Sequence, residues 1–339
     1  MALSGIRVLD LSRLLPGPFC SMILADFGAE VIKVEEPVEG DYMRRISPLV
    51  QQEGAIFLAV NRNKKSLSLN LKTEAGRRIF LELVRTADVL LEGFRPGVMA
   101  RLELDPQVVQ DVNPRLVYCS LSGFGQTGPY RQRAGHDLNY VALGGVLELL
   151  NTDKGPPSVP GVQLADLCGG LWAALSITLA LLARERTGAG QYLDVSMLDS
   201  VVSLLTMPVA LHFLDSDNRG ESYSDPTQGQ SNYNVYRTRD GRYVALGALE
   251  SKFWHAFCRA VSREDWIAPQ DAAGAQRAAP SIAEVQALFA TRTLAEWQEV
   301  FAGQDVCCEP VHTLDEVFAD PQIQARGMLV EVEHPVEGL

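Results

Sequence analysis

Over its first two hundred residues the chain alternates short β-like runs with helical patterns, and this alternation restricts the possible fold more than any other feature. "IRVLDL" (Ile6 to Leu11) reads as a strand, and the residues behind it place Phe19, Met22, Ile23 and Phe27 on one helical face. "EVIKVEE" (Glu30 to Glu36) reads as a second strand after a turn at Gly28. In "KSLSLNL" the side chains of Leu67, Leu69 and Leu71 alternate, and Thr73 is placed to cap a helix carrying Ile79, Phe80, Leu83 and Val84. "ADVLLEGF" and "RLVYCSL" are two further strands, separated by a short helix near Pro106 to Asp111. Strands and helices repeated in this way build a parallel, doubly wound α/β sheet, whose ligands bind in crevices at the carboxyl ends of the strands.

After Asp199 the pattern changes. A helical stretch reaches about Leu214, and the polar segment "DSDNRGESYSDPTQGQSN" reads as a linker. "YNVYRTRDGRYVALGAL" reads as a hairpin on an Asp240-Gly241 turn. Helices are expected around Phe253 to Val261, Ile282 to Ala290 and Leu294 to Phe301, the last opened by a capping box of Thr293 and Glu296. The expected organisation is a large domain over 1–195, a linker over 196–228, a small α+β domain over 229–311, and a last segment over 312–339.

The net charge of −12 argues against nucleic acid or an anionic membrane as a general partner, so an anionic ligand needs a local basic cluster. Six cysteines (20, 119, 168, 258, 307 and 308) lack paired metal spacing, and a reducing, cytoplasmic setting is the simplest expectation. No secretory signal pattern opens the sequence. The longest uncharged run, Leu167 to Ala183, is rich in Gly and Ala and suits a buried helix better than a membrane span.

Several stretches could carry chemistry. "NRNKK" concentrates Arg62, Lys64 and Lys65, and "EGFRPG" sets Arg95 beside Phe94 at the end of a strand, a combination suited to a phosphate-bearing ligand or to plain solvated surface. "LSGFGQTGPY" holds three glycines after a strand but lacks the G-x-G-x-x-G order of a dinucleotide fingerprint. "AGHDLNY" brings His136 and Asp137 together a few residues before Tyr140, and thirty residues beyond His136 stands Asp166 in "LADLCGG". Asp166 is expected to open the long apolar helix, where a plain N-cap explains it as well as a catalytic role does. His136 can equally be a satisfied polar residue of a loop, and Cys168 a small apolar filler.

Taken together, "LLPGPFCSMILADFGAEVIKVEEP", "EGFRPGVM", "LSGFGQTGPY", "AGHDLNY", "LADLCGG" and "RTGAGQYLDVSMLD" resemble the family III CoA-transferases and their relatives, the α-methylacyl-CoA racemases, over nearly the whole chain. The resemblance implies a Rossmann-like large domain, a small domain, and an interlaced homodimer whose active site lies between the large domain of one chain and the small domain of the other. It also implies a final segment that returns to the large domain and continues beyond Leu339, so the chain reads either as truncated there or as the product of a short gene. The "GHD" stretch matches the racemase motif, which makes His136 one acid/base residue and Asp166 the opposing one, with Glu250 of "GALESKF" supporting the histidine. "PSVPGVQ" looks more like the transferase-type sequences.

In the racemase reading, one base removes the proton from the carbon next to a thioester and the other returns one to the opposite face. Asp166 must then be protonated near neutral pH, and backbone N–H groups after it, in "LCGG", are the candidate donors to the enolate oxygen. In the transferase reading the Asp166 carboxylate attacks the thioester and passes CoA to a second acid through an aspartyl-CoA intermediate. A third reading is a non-catalytic CoA-binding protein on the same fold. Arg62, Lys65, Phe94, Arg95 and Tyr140 are the expected contacts to the CoA moiety. No cofactor beyond that CoA, no metal, no nucleic acid and no membrane span are expected, and the acyl group is not legible.

Overall fold

The structure is a computed structural model and describes residues 1–150, 156–214, 229–267, 280–334 and 336–338. The expected linker "DSDNRGESYSDPTQGQSN" lies largely outside the described residues. Two compact units emerge: Met1–Phe213 together with His334–Gly338, and Leu214–Glu333.

The first unit is built on six parallel strands: β1 (Arg7–Asp10), β2 (Glu30–Glu35), β3 (Lys64–Ser68), β4 (Val89–Glu92), β5 (Val117–Ser122) and β6 (Tyr192–Ser196), in the order β3-β2-β1-β4-β5-β6. This is the Rossmann order, with its switch point between β1 and β4. Successive side chains on a strand point to opposite faces, and the core divides accordingly. Val8, Val89, Leu91, Val117 and Cys119 pack on one face with Leu24, Ile177 and Leu181. Their chain neighbours Leu9, Leu90 and Tyr118 pack on the other with Phe80 and Val84. Leu24 lies on α1 (Pro16–Asp26), Phe80 and Val84 on α2 (Glu74–Val84), and α3 (Asp137–Leu143) leads towards the 24-residue α4 (Leu164–Thr187).

Proline at the first turn presets α1, whose missing N–H there costs nothing. The helix stops at Asp26, so Phe27 falls outside the expected apolar face and is 57% exposed, in the turn that Gly28 completes at φ 102°. Among the described residues, α4 is the one helix long and apolar enough to cross a membrane. Its Gly169 and Gly170 lie against Met197 and the Pro16 carbonyl, a close approach that needs the absence of Cβ. The first unit runs past residue 195, because Met197 and Val201 of α5 (Met197–Ser203) belong to its core, and α6 (Thr206–Leu214) follows. Near the end of the chain, Glu337 accepts the Gln52 N–H at 3.1 Å and its carbonyl accepts from Gln51 at 2.9 Å.

The second unit has a three-stranded antiparallel sheet of β7 (Tyr233–Arg237), β8 (Tyr243–Gly247) and β9 (Cys308–Pro310), with β8 in the middle. Gly241 takes the left-handed conformation at the β7–β8 turn. Helices α7 (Ser251–Ala260), α8 (Ile282–Phe289) and α9 (Leu294–Phe301) enclose an aromatic core in which Tyr236 stacks on Phe289 at 5.1 Å and Trp297 on Phe301 at 5.6 Å. The reciprocal Thr293 and Glu296 cap opens α9.

Candidate active site

A cavity of about 850 Å³ opens in the first unit at the carboxyl ends of β1, β4 and β5, where the strand order reverses. Its walls include the turns that leave the strands, Leu11 to Leu14 after β1, Leu69 to Lys72 after β3 and Gly93 to Pro96 after β4, the end of β5 with its turn at Leu121 to Phe124, and Arg131 to His136, Tyr140, Asp166 and Met197.

A buried ion network shapes the β1 turn. Asp10 accepts the Ser12 N–H at 2.8 Å, the Ser12 hydroxyl, the Ser21 hydroxyl at 2.5 Å and the Lys64 ammonium at 3.4 Å. Lys33 donates to the Ser12 carbonyl at 2.9 Å and pairs with Asp41 at 3.0 Å. Such enclosure of charge is tolerable only because every charge is partnered. It carries the turn through Leu14, which sits at φ 66°.

The two candidate bases both line this cavity. His136 stands at the N-cap of α3, with its N–H donated to the Asn139 side chain at 2.9 Å. The next residue ties α3 to α4: Asp137 Oδ1 accepts the N–H groups of Ala165 at 2.7 Å and Asp166 at 3.1 Å. No side chain of its own segment caps α4, so Asp137 supplies that cap from another element. Burial, reinforced by the Asp137 charge, pushes the Asp166 carboxyl up to about 7.

Two expectations need correction. Asp166 is not the N-cap of the long helix: α4 begins at Leu164 behind Gln163, which puts the carboxyl inside the first turn and facing the cavity. Nor are the amides around "LCGG" free for an enolate oxygen. Asp137 takes those of Ala165 and Asp166, and Leu167 already donates to the Gln163 carbonyl at 3.1 Å as the helical ladder starts.

Tyr140 is 4% exposed and donates to the Gly135 carbonyl at 2.8 Å. A Cβ on Gly123 would meet its hydroxyl at 2.2 Å and one on Gly135 its ring at 2.8 Å, so both glycines are spacers for this side chain, whose ring also meets Phe124 edge-on. Burial, with Asp166 nearby, pushes its hydroxyl up to about 12, and burial likewise raises the Cys168 thiol.

Of the expected ligand contacts, Phe94, Arg95 and Tyr140 come together at the cavity, whereas Arg62 and Lys65 do not. Arg62 is turned to Asp26 at 2.5 Å and the exposed Lys65 to Glu30 at 2.6 Å, and Lys64 is drawn into the buried network instead. The cavity gathers other cations in their place: Arg13, Lys72, Arg101, Arg131 and Arg133 join Arg95. None of these six forms an ion pair among the described residues. Arg13 rests between the rings of Tyr42 and Phe94, at 5.9 and 5.5 Å, and Arg133 over Tyr130 at 5.0 Å. Arg13 and Lys72 lie just beyond strand ends, which is the signal that could have singled those two out. Glu250 lies in the second unit, at the N-cap of α7. Among the described residues no group of three or more His, Cys, Asp or Glu is arranged to hold a metal ion.

The chain matches CoA-transferase family III over residues 3–339. It is similar to the mouse succinyl-CoA:glutarate CoA-transferase (36% identical, covering 99% of this chain and 78% of the relative). It is also similar to the human alpha-methylacyl-CoA racemase (39% identical, 98% and 84%). Among solved structures, a CAIB/BAIF family protein from Brucella suis superposes with a TM-score of 0.81 at 32% identity, covering 97% of this chain and 88% of that one. An extended family match and relatives of this identity leave one conclusion: the chain belongs to CoA-transferase family III.

Proposed function

We propose that the protein inverts the stereocentre next to the thioester of 2-methylacyl-CoA substrates, with His136 and Asp166 as its two bases. The observation that carries this reading is an Asp166 carboxyl held at about 7 in the same cavity as His136, so that near neutral pH it exists as acid and as base in comparable amounts. One base takes the Cα proton, and the C–H electron pair moves into the thioester carbonyl to give an enolate. The other base delivers a proton to the opposite face of Cα and the carbonyl re-forms. In the reverse direction the roles exchange. Each acid/base group contributes roughly 10²–10⁴ in rate.

The six cavity cations, which form no ion pair among the described residues, in a chain of net charge −12, suit the phosphates of CoA, and the apolar wall offered by Leu121, Phe124 and Met197 suits an acyl chain. Glu250 would reach His136 from the second copy in an interlaced homodimer. The outward face of α4 supports such a partner: Leu171, Leu175, Leu179 and Leu182, each 48–61% exposed, form a stripe at helical spacing.

The rival reading has Asp166 attack the thioester carbonyl, and relatives named as CoA-transferases favour it. It needs the ionised carboxylate, which burial and Asp137 disfavour but which makes up about half of the population near pH 7, and it leaves His136 without a task. Incubation of the protein with a single-epimer 2-methylacyl-CoA in deuterated water decides between them. The expected result is Cα deuteration with loss of epimeric purity, without any acid acceptor, and impaired in both Asp166→Asn and His136→Ala. Transfer of CoA to added carboxylic acids without exchange, stopped by Asp166→Asn alone, would establish the transferase instead.

A further inference from the structure

One buried acid takes no part in the chemistry above. Glu92, the last residue of β4, is 4% exposed; its register partner on β5 is Ser120, and the partner of Ser120 on β6 is Asp194. The three stand in one row across the carboxyl edge of the sheet. Each acid reaches forward from the row to a turn. Glu92 Oε2 accepts the Phe94 N–H at 2.8 Å, and Asp194 accepts the Gln126 N–H at 3.0 and 3.1 Å. Ser120 is 2% exposed, bonds to the Glu92 carboxyl and accepts from the Tyr192 hydroxyl at 3.3 Å.

No cation pairs with Glu92 among the described residues; its neighbours include Ser120, Asp194, Tyr118, Cys119 and Tyr192. A carboxyl enclosed this way with a like charge nearby costs free energy, so a local hydrogen-bonding task is the natural reason for its presence. That task is visible in what it holds. Gly93, Phe94 and Arg95 form the cavity wall after β4, and the Phe94 ring carries the Arg13 guanidinium.

We propose that Glu92 is a positioning residue of the ligand wall, whose carboxyl oxygen fixes the Phe94 amide and thereby sets the Gly93–Arg95 turn and the Arg13 stacked on it to receive the CoA moiety. This rests on the reading that the cavity binds CoA. It is independent of which reaction follows.

Calorimetric titration of free CoA at pH 7 into the wild type, Glu92→Gln, Glu92→Asp and Glu92→Leu tests it. Glutamine keeps an oxygen at the same reach and should bind CoA within about twofold of wild type. Aspartate keeps the acid but withdraws it by about one carbon–carbon bond, 1.5 Å, and leucine removes the acceptor. Both leave a buried N–H without a partner, and about tenfold weaker binding is expected. If leucine prevents folding, the contrast between glutamine and aspartate decides alone. Equal affinity in all variants, or equal weakening in Glu92→Gln and Glu92→Asp, would overturn the assignment while leaving the CoA reading intact. Failure of the wild type itself to bind CoA would overturn both.

Discussion

Asp137 and Asp166 illustrate how one contact can do two jobs at a single residue. The Asp137 carboxylate caps α4 through two amides, and its charge raises the proton affinity of the carboxyl that the same helix carries. Asp137→Asn separates the two, because an amide oxygen still accepts the N–H bonds while the charge is gone. Asp166 should then ionise at lower pH. In the direction where Asp166 donates the proton, the fall of rate with rising pH should begin earlier than in the wild type, as a pH–rate profile would read. Asp137→Ala should in addition lose the cap, about 1 kcal/mol of stability. Glu92 offers a second residue-scale expectation. Burial, then the nearby Asp194, raises its carboxyl from 4.5 to about 7. A folded-state value above the unfolded one means that the native protein binds more protons, so stability is retained below about 4.5 and lost as pH rises through about 7. Glu92→Gln should remove that loss. Its melting temperature should gain on the wild type between pH 5 and 8, by an amount corresponding to about 3 kcal/mol at the upper end; parallel melting curves across that range would contradict the assignment.

At the scale of elements, β1, β4 and β5 were legible as short, nearly continuous apolar runs because both faces of the sheet are buried and the chain must supply apolar side chains to each. Thr73 and the Thr293–Glu296 pair were legible as caps because capping is local chemistry. The start of α4 was not, because its cap comes from Asp137 in another element and leaves no signal near residue 163. The same helix shows what the glycines are for. A methyl group on Gly170 would meet the backbone carbonyl of Pro16 at 2.7 Å, whereas one on Gly169 would meet the flexible Met197 side chain at 2.8 Å. Gly170→Ala should therefore cost about 1–3 kcal/mol as overpacking, and Gly169→Ala less, since a methionine rotamer can move where a backbone carbonyl cannot. Because Pro16 and Gly17 line the cavity, Gly170→Ala should also weaken CoA binding. Thermal melts and CoA titration of the two variants check the order.

For the molecule as a whole, the switch point between β1 and β4 explains which expected residues meet. Chain segments that leave the carboxyl ends of strands converge there, so Phe94, Arg95, His136 and Asp166, widely separated in sequence, share one cavity, while Arg62 and Lys65 precede or begin β3 and face away. The cations that line the cavity are thus scattered along the chain, whereas the cluster at Arg62 to Lys65 lies outside it. The proposed homodimer carries the remaining expectation. If each active site joins the first unit of one chain to the second unit of its partner, Asp166→Asn and Glu250→Ala damage opposite halves of a site. In a heterodimer of the two variants, one site receives both substitutions and the other receives neither. Random reassortment makes half of the dimers heterodimers, and half of their sites are intact, so a refolded equal mixture of two impaired variants should recover about a quarter of wild-type activity. A site formed within one chain leaves every site with one defect, and the mixture would then show only the average of the two impaired proteins.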